Sequence, residues 1–260
     1  MSKKSYALLS VEMRGAIAVV GLNRPDKRNA INDPLIDEIS DIFANPPEGA
    51  RVFVLHGHGP HFSSGLDLAE HRDREAFEVM LHSQKWHRAF HHVQMGGLPV
   101  VSALKGAVVG GGLELATSTH VRVAEPSTFY ALPEGQRGIF VGGGGSVRIA
   151  RIIGAGRMAE IMLTGHAYNA QEGQAMGLSH HLVGEGEALP KALELAERIA
   201  SNAPLSNYAV INALPRIADM AQSDGLFAES LMAAMAQTST EARDRMRAFL
   251  EGKAAKAGAA

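Results

Sequence analysis

The alternation of strand-like and helix-like segments over the first 190 residues constrains the fold of this chain more than any other feature. Continuous apolar runs at 52–55 and 99–104 predict buried strands, and the apolar positions between Asp33 and Phe43 recur at the spacing of a helix. Strand, loop and helix follow one another in turn, which indicates the α/β class. We therefore expect a main domain over residues 1–190.

The pattern changes to helices alone beyond residue 190, with predicted helices over 192–200, 206–220, 226–236 and 240–250. Their apolar faces, which include Leu226, Leu231 and Met235, are larger than a short terminal segment can bury by itself. The helical region 191–260 is therefore expected to pack either on the core of the same chain or on another subunit. The helical pattern alone favours neither arrangement.

Composition and charge exclude several classes of protein and of site. The 260 residues carry a formal net charge of −2 with mixed signs, so the sequence offers no basic stripe for nucleic acid and no polybasic membrane patch. The absence of cysteine excludes disulfides and a thiol nucleophile. With no secretory leader and no apolar run of about 20 residues visible, we expect a cytoplasmic protein whose partner is a small molecule or another copy of itself.

Two glycine-containing segments could present backbone N–H groups to a ligand. Small residues in 61–68 allow a close approach of the backbone, although such loops are mostly ordinary turns. In 106–115, three successive glycines including Gly111 precede a helical segment and leave N–H groups without partners. An oxygen that acquires negative charge would be stabilised there.

Two glutamates are the candidate acid and base. Glu114 lies in the first turn of the helix after the glycines, where it could also merely complement the helix dipole. Glu134 leaves a strand for a loop that continues into a glycine-rich turn at 142–145. Two carboxylates in one pocket can divide the roles of base and acid, but their separation in sequence does not prove that they meet.

Four segments in the right order give the chain a strong resemblance to the enoyl-CoA hydratase/isomerase (crotonase) superfamily between about residues 11 and 249. They are 23–30, 62–68, 106–115 and the Pro133–Glu134 pair with the glycine-rich turn beyond it. The resemblance implies an α/β fold in which β-β-α units repeat as a spiral. It also implies a C-terminal helical trimerisation region, so that the protein would form a homotrimer or, by pairing of trimers, a hexamer.

The resemblance further implies the roles of individual residues. The backbone N–H groups of Ser64 and Gly111 would hold the carbonyl oxygen of an acyl-CoA thioester. The coenzyme A part of this substrate would contact a group of residues from three regions of the chain: Lys27, Arg28, Ala30, Leu66, Asp67, Leu68, Phe249 and Lys253.

The resemblance favours an enoyl-CoA hydratase, because both glutamates of the hydratases are present at 114 and 134. Glu114 would activate a water that adds to C3, and Glu134 would give a proton to C2. No metal and no redox cofactor is expected. A thioester hydrolase, a double-bond isomerase and a CoA- or RNA-binding oligomer remain alternatives.

Three departures from the family pattern bear on the acyl group. Ser64 stands where many hydratases have alanine, and the segment 138–141 replaces a more common proline-containing turn. The region 70–94 is rich in His and Arg and does not closely match the usual substrate-side segment. A specialised acyl group, such as that of methylthioacryloyl-CoA, is therefore also considered.

The histidines suggest a metal site only weakly. His87 and His91 share a probable helix at i,i+4 spacing, but no third ligand stands at the usual distance. A polar helix face is the favoured interpretation of these histidines, and Trp86 and Phe90 are interpreted as packing residues or pocket wall.

Overall fold

The computed structural model describes residues 5–69 and 74–251, a part of the chain that contains nine strands and eleven α-helices. The elements in chain order are β1 (Leu9–Arg14), β2 (Ile17–Leu22), α1 (Asp33–Ala44), β3 (Val52–Gly57), α2 (Ala76–Met95), β4 (Val100–Leu104), β5 (Ala107–Val109), α3 (Gly111–Ala116), β6 (Val121–Ala124), β7 (Phe129–Ala131), α4 (Gly145–Ile153), α5 (Ala155–Thr164), β8 (Tyr168–Asn169), α6 (Ala170–Ala175), β9 (His181–Leu182), α7 (Ala188–Ser201), α8 (Pro204–Asn212), α9 (Leu214–Ile217), α10 (Gln222–Thr238) and α11 (Thr240–Leu250). Short 3-10 turns lie at Pro25–Lys27 and Gly135–Arg137.

The strands form two sheets. The larger has the order β1-β2-β3-β4-β6-β9, and the smaller has the order β5-β7-β8. Strands β1 and β2 form an antiparallel hairpin, whose turn contains Gly15 at a φ of 59°. The other pairs of the larger sheet are parallel. Their carboxyl ends therefore meet at one edge, from which the loops of the candidate site leave.

A β-β-α unit occurs twice in succession. The chain passes from β4 in the larger sheet to β5 in the smaller sheet and then into α3, and it repeats this course with β6, β7 and α4. The equivalent strands pair in parallel in both sheets. This arrangement confirms the predicted α/β fold class with repeated β-β-α units.

Both faces of the larger sheet are covered, which explains its continuous apolar runs. In β2, Val20 and Leu22 point to a core shared with α1 and α2, whereas Ile17 and Val19 point to a second core shared with α7. Helix α1 begins at Asp33 with Asn32 as its cap, whose side chain accepts a hydrogen bond from the N–H of Leu35 at 3.1 Å.

The chain divides into two compact units, one up to residue 200 and one from residue 201. Helix α7 belongs mainly to the first unit, because Ala188, Ala192 and Ala196 are buried in the second core of the sheet. The unit boundary thus lies later in the chain than the predicted boundary at 190. None of the helices in the described ranges is long and apolar enough to span a lipid bilayer.

The prediction of one helix over 206–220 is wrong, because the structure divides that segment into α8 and α9. Pro215 has no N–H to donate to the carbonyl of Ile211 one turn earlier, so the helical hydrogen bonding is interrupted there.

Candidate active site

Glu114 is a buried acceptor and does not lie on an exposed helix end. Its side chain lies in the first turn of α3 and is only 3% exposed. One carboxylate oxygen, Oε1, accepts hydrogen bonds from the N–H groups of Gly143 at 2.8 Å and Gly145 at 2.7 Å. The interpretation of Glu114 as a residue that merely complements the helix dipole does not explain this burial.

Opposing effects act on the pKa of Glu114. Burial raises it, while the N–H groups of Gly145 and Gly143 and the guanidinium of Arg148 lower it in part. Two N–H donors on one oxygen favour a carboxylate over a carboxylic acid at this position. On balance the pKa of Glu114 is raised by burial, while the two N–H donors fix its Oε1 and stabilise the carboxylate form in part.

Glu134 is a second buried carboxyl group, with fewer hydrogen-bond donors around it. It follows β7, is 6% exposed, and its Oε2 has no hydrogen-bond partner in the part of the chain that the structure describes. Burial, with a smaller contribution from the negative charge of Glu114, raises its pKa to about 7. A substantial fraction of Glu134 is therefore protonated at neutral pH and can donate a proton.

The structure brings the two glutamates to one cavity of about 140 Å³. Apart from the two carboxylates, the cavity is lined mainly by apolar side chains and glycines; these residues are Leu66, Val79, Trp86, Gly111, Ile139, Phe140, Val141, Gly142 and Gly143. The polar side chains of Arg74, His82 and Ser83 complete the lining. The predicted acid and base thus face a common space with a mostly apolar lining.

Ser64 does not fit its predicted role as a backbone donor to the thioester. Its N–H is already donated to the carbonyl of Arg28 at 3.0 Å, because the segments around residues 28–31 and 64–67 lie side by side. The N–H group of Ser64 is therefore in use within the protein, and another N–H of the same loop must be considered.

Leu66 has an N–H group in this loop with no acceptor among the residues that the structure describes. Its neighbours on either side bond to the paired segment, through the carbonyl of Gly65 and the N–H of Asp67, both of which engage Ile31. Within the described residues, neither the N–H of Leu66 nor that of Gly111 has an acceptor. A methyl group on Gly111 would lie 3.5 Å from the nitrogen of Leu66, so the two amides are neighbours.

Glycine is required where these two segments meet. A methyl group on Gly65 would lie 2.6 Å from the carbonyl oxygen of Val109 and 3.0 Å from the nitrogen of Gly111, and the φ of Gly65 is 86°. A methyl group on Gly111 would lie 2.6 Å from Cζ3 of Trp86. The two N–H groups are therefore held together by backbone contacts that only hydrogen-sized side chains permit.

The residues predicted to bind coenzyme A divide into three groups. Six of them lie on the paired segments next to the cavity: Lys27, Arg28, Ala30, Leu66, Asp67 and Leu68. Phe249 lies in α11 of the second unit and is 49% exposed, and Lys253 falls outside the described residues.

The loop that carries Lys27 and Arg28 has a fixed shape. Asn29 is fully buried, its Oδ1 accepts the N–H of Arg24, and its Nδ2 donates to two carbonyls of the loop after β3. Arg28 and Asn29 both adopt positive φ angles, near 50°. This leaves Lys27 and Arg28 exposed, while Asp67 is buried in an ion pair with Arg24 at 2.9 Å.

The histidines of α2 pair with groups other than a metal. His82 bonds Asp33 at 2.6 Å, and His92 bonds Ser40 at 3.1 Å. No set of three or more His, Cys, Asp or Glu side chains in the described ranges is placed to hold a metal ion. Trp86 lines the cavity and packs edge-on against buried Phe90 with ring centres 5.5 Å apart.

The family model for enoyl-CoA hydratase/isomerase matches residues 12–257. The chain is 30% identical to the enoyl-CoA hydratase EchA19 of Mycobacterium tuberculosis, with 94% of each chain covered. A crystal structure of a candidate enoyl-CoA hydratase from Rhodopseudomonas palustris matches at TM-score 0.93 and 54% identity, covering 96% of this chain and 98% of the other. An enoyl-CoA hydratase from Bacillus anthracis matches at TM-score 0.89 and 29% identity, covering 95% and 97%.

These matches define the class to which the fold and the cavity point. The chain belongs to the enoyl-CoA hydratase/isomerase family. The resemblance inferred from the four sequence segments is thereby confirmed.

Proposed function

We propose that the protein is an enoyl-CoA hydratase, which adds water across the C2=C3 bond of a 2-enoyl-CoA thioester. The observation that carries the proposal is the presence, on one cavity, of two buried glutamates beside two N–H groups that have no acceptor within the described residues. Glu114 is bound by two N–H donors, whereas one oxygen of Glu134 has no partner there. The names of the relatives from Mycobacterium tuberculosis and Bacillus anthracis support the same reaction.

The reaction develops negative charge on the thioester oxygen. Attack of water on C3 converts the enoyl thioester into an enolate, and the N–H groups of Leu66 and Gly111 would stabilise its oxygen more strongly than the carbonyl of the substrate. Removal of one such donor typically costs about 3 kcal/mol of transition-state stabilisation. The two amides therefore act where the charge appears.

The two glutamates complete the proton balance. Glu114, held as an acceptor by Gly143 and Gly145, takes a proton from the water as its oxygen bonds to C3. Glu134, whose raised pKa keeps a proton available at neutral pH, gives a proton to C2. Hydration changes no overall oxidation state of the substrate, so the proposed reaction needs no redox cofactor.

Crotonyl-CoA tests the proposal directly. The conjugated enoyl-thioester absorbance should fall on addition of the protein, while a thiol reagent detects no free coenzyme A. Glu114→Gln and Glu134→Gln should both abolish this change, and Glu12→Gln, which alters an exposed glutamate of β1 outside the cavity, should retain it.

The other outcomes of the assay identify the alternatives. Release of thiol would indicate a thioester hydrolase, and a shifted double bond in the product would indicate an isomerase. No reaction with crotonyl-CoA but hydration of a heteroatom-substituted enoyl-CoA would indicate a specialised acyl group, because the wall formed by Ile139 and Phe140 departs from the family pattern.

The association of the chain into a homotrimer or hexamer is part of the proposal. Helix α10 has one buried residue, Gly225, and exposes Leu226, Phe227, Leu231 and Met235. Exposed apolar area of this extent on one helix is typical of a subunit interface. The cytoplasmic location expected from the sequence stays a prediction.

A further inference from the structure

One stripe of helix α2 packs along the glycine-rich segment that holds Glu114. The hydroxyl of Ser83 donates to the carbonyl of Gly142 at 2.6 Å. Two turns further along, the Phe90 ring lies against Gly143, since a methyl group there would be 2.9 Å from Cε2 of Phe90. Gln94, one turn later, accepts a hydrogen bond at its Oε1 from Nε of Arg148 at 2.7 Å. Residues at this spacing share one face of a helix.

The contact of Ser83 acts on a single peptide group. The carbonyl of Gly142 and the N–H of Gly143 belong to the same planar peptide and point in opposite directions. The hydroxyl of Ser83 binds the carbonyl end, and Oε1 of Glu114 binds the N–H end at 2.8 Å. A continuous chain of hydrogen bonds therefore runs from α2 to Glu114, and each bond in such a chain polarises the next.

A second contact holds the next peptide. Arg148 donates from Nη1 to the carbonyl of Gly143 at 3.0 Å, which fixes the Gly143–Gly144 peptide. The N–H of Gly145 belongs to the peptide after that one and is directed to Glu114 at 2.7 Å. Two N–H groups of the loop therefore point towards Glu114, and the carbonyls of Gly142 and Gly143 are bonded to Ser83 and Arg148. This is the arrangement that a carboxylate requires.

The glycines on either side of the Gly142–Gly143 peptide allow it a second orientation. A peptide between two glycines can rotate by half a turn at little steric cost, because either sign of φ is open to them. Rotation of the Gly142–Gly143 peptide would replace the N–H facing Glu114 by a carbonyl oxygen. Something outside the loop must therefore select the productive orientation.

We propose that Ser83 is a positioning residue for Glu114, which fixes the Gly142–Gly143 peptide so that its N–H faces the carboxylate. The role of Glu114 as base rests on the proposed hydratase function, whereas the orientation of the peptide does not. Ser83 has one hydroxyl proton and gives it to Gly142, so the 3.3 Å contact with Nε2 of His87 requires His87 to be the donor.

The charged and titratable groups around Glu114 are few. Glu134 lies across the cavity, Arg148 faces Glu114 from α4, and His87 lies on α2 beside Arg148. Arg74 and His82 also line the cavity, and both bond Asp33. Burial and the charge of Arg148 lower the pKa of His87, so this histidine is neutral at neutral pH. A change in the titration of Glu114 on substitution of Ser83 is then not explained by a new charge.

The test compares Ser83→Ala with Ser83→Thr, which keeps the hydroxyl, and with Gln84→Ala, an exposed residue of the same helix. We expect kcat of Ser83→Ala for crotonyl-CoA to fall about three- to ten-fold, as for loss of one hydrogen bond. KM should stay within about two-fold, because the contact acts through Glu114. Ser83→Thr and Gln84→Ala should resemble the parent protein.

A measurement without turnover separates this inference from the proposed function. The carboxyl carbon of Glu114, assigned by comparison with Glu114→Gln, is titrated by ¹³C NMR in each protein. Its pKa should be higher in Ser83→Ala than in the parent and in Ser83→Thr, because an N–H donor is lost. An unchanged titration in Ser83→Ala, or the same rise in Ser83→Thr, would overturn the inference. If the parent hydrates no enoyl-CoA but the titration changes as expected, the positioning role stands and the proposed function fails.

Discussion

The contact between Gly111 and Trp86 gives a quantitative test of the two-amide site. In Gly111→Ala the new methyl group would lie 2.6 Å from Cζ3 and 3.0 Å from Cη2 of Trp86. An unstrained carbon–carbon contact is about 3.5 to 4.0 Å, so the indole or the backbone at residue 111 must move by about 1 Å. Trp86 is buried and packed against Phe90, so much of the shift falls on the backbone.

A shift of this size removes the N–H of residue 111 from hydrogen-bonding distance of the substrate oxygen. Loss of one donor to a developing oxyanion typically lowers kcat by about 10² to 10³-fold, or about 3 to 4 kcal/mol. Trp86→Phe removes the ring atoms in question, so Gly111→Ala combined with Trp86→Phe should recover at least about ten-fold of the kcat lost in Gly111→Ala alone.

Steady-state kinetics with crotonyl-CoA on the four proteins of this cycle measures the recovery, relative to Trp86→Phe itself. Two glycines provide controls. In Gly112→Ala the methyl group would meet the backbone oxygen of Ser63 at 2.5 Å, which Trp86→Phe cannot relieve, and in Gly156→Ala it would meet nothing within 4 Å. If the double variant has a kcat no higher than that of Gly111→Ala, the contact with Trp86 does not explain the loss, and the reasoning that places the Gly111 N–H at the substrate oxygen is refuted.

Three further predictions follow from the site and the second unit. The raised pKa of Glu134 means that the fold favours its neutral form, and this contribution to stability is lost as the pH rises through about 7. Glu134→Gln should therefore melt at a higher temperature than the parent protein at pH 8 but not at pH 4. Equal differences in melting temperature at both pH values would contradict this. Arg28→Asn keeps a residue that tolerates the φ of 51° but removes a charge, and it should raise KM for the acyl-CoA about two- to five-fold at low salt with less effect at high salt; a KM change independent of salt would argue against a phosphate contact. Sedimentation equilibrium should give a trimer or hexamer for the parent and smaller species for Leu231→Glu; a monomeric parent would exclude the interface on α10.

The sequence predicted the elements of the fold better than their interruptions. The apolar runs of β3 and β4 and the glycine turn before α3 were placed correctly, because local spacing and composition determine them. The break between α8 and α9 was missed, although Pro215 was a visible signal for it. The extent of the first unit depends on the burial of α7 against the sheet, which is a tertiary property.

The candidate site shows the same division. Both glutamates were predicted from their own segments. The hydrogen bonds that act on their pKa, however, come from partners distant in sequence, such as Gly143 and Gly145 for Glu114. The choice between Ser64 and Leu66 depended on which N–H is engaged by the neighbouring segment, and a single sequence does not report that pairing. Ser83 gave no signal, because a serine within a helix is ordinary.

The groups that carry the proposed chemistry are mostly peptide groups. Leu66, Gly111, Gly143 and Gly145 each contribute an N–H, and two glutamates supply the side chains. Ile139 and Phe140, by contrast, line the cavity with apolar side chains. We therefore expect that a few substitutions at Ile139 and Phe140 can change the acyl preference while the enzyme stays active. Related copies of the gene could then diverge in substrate and keep one reaction.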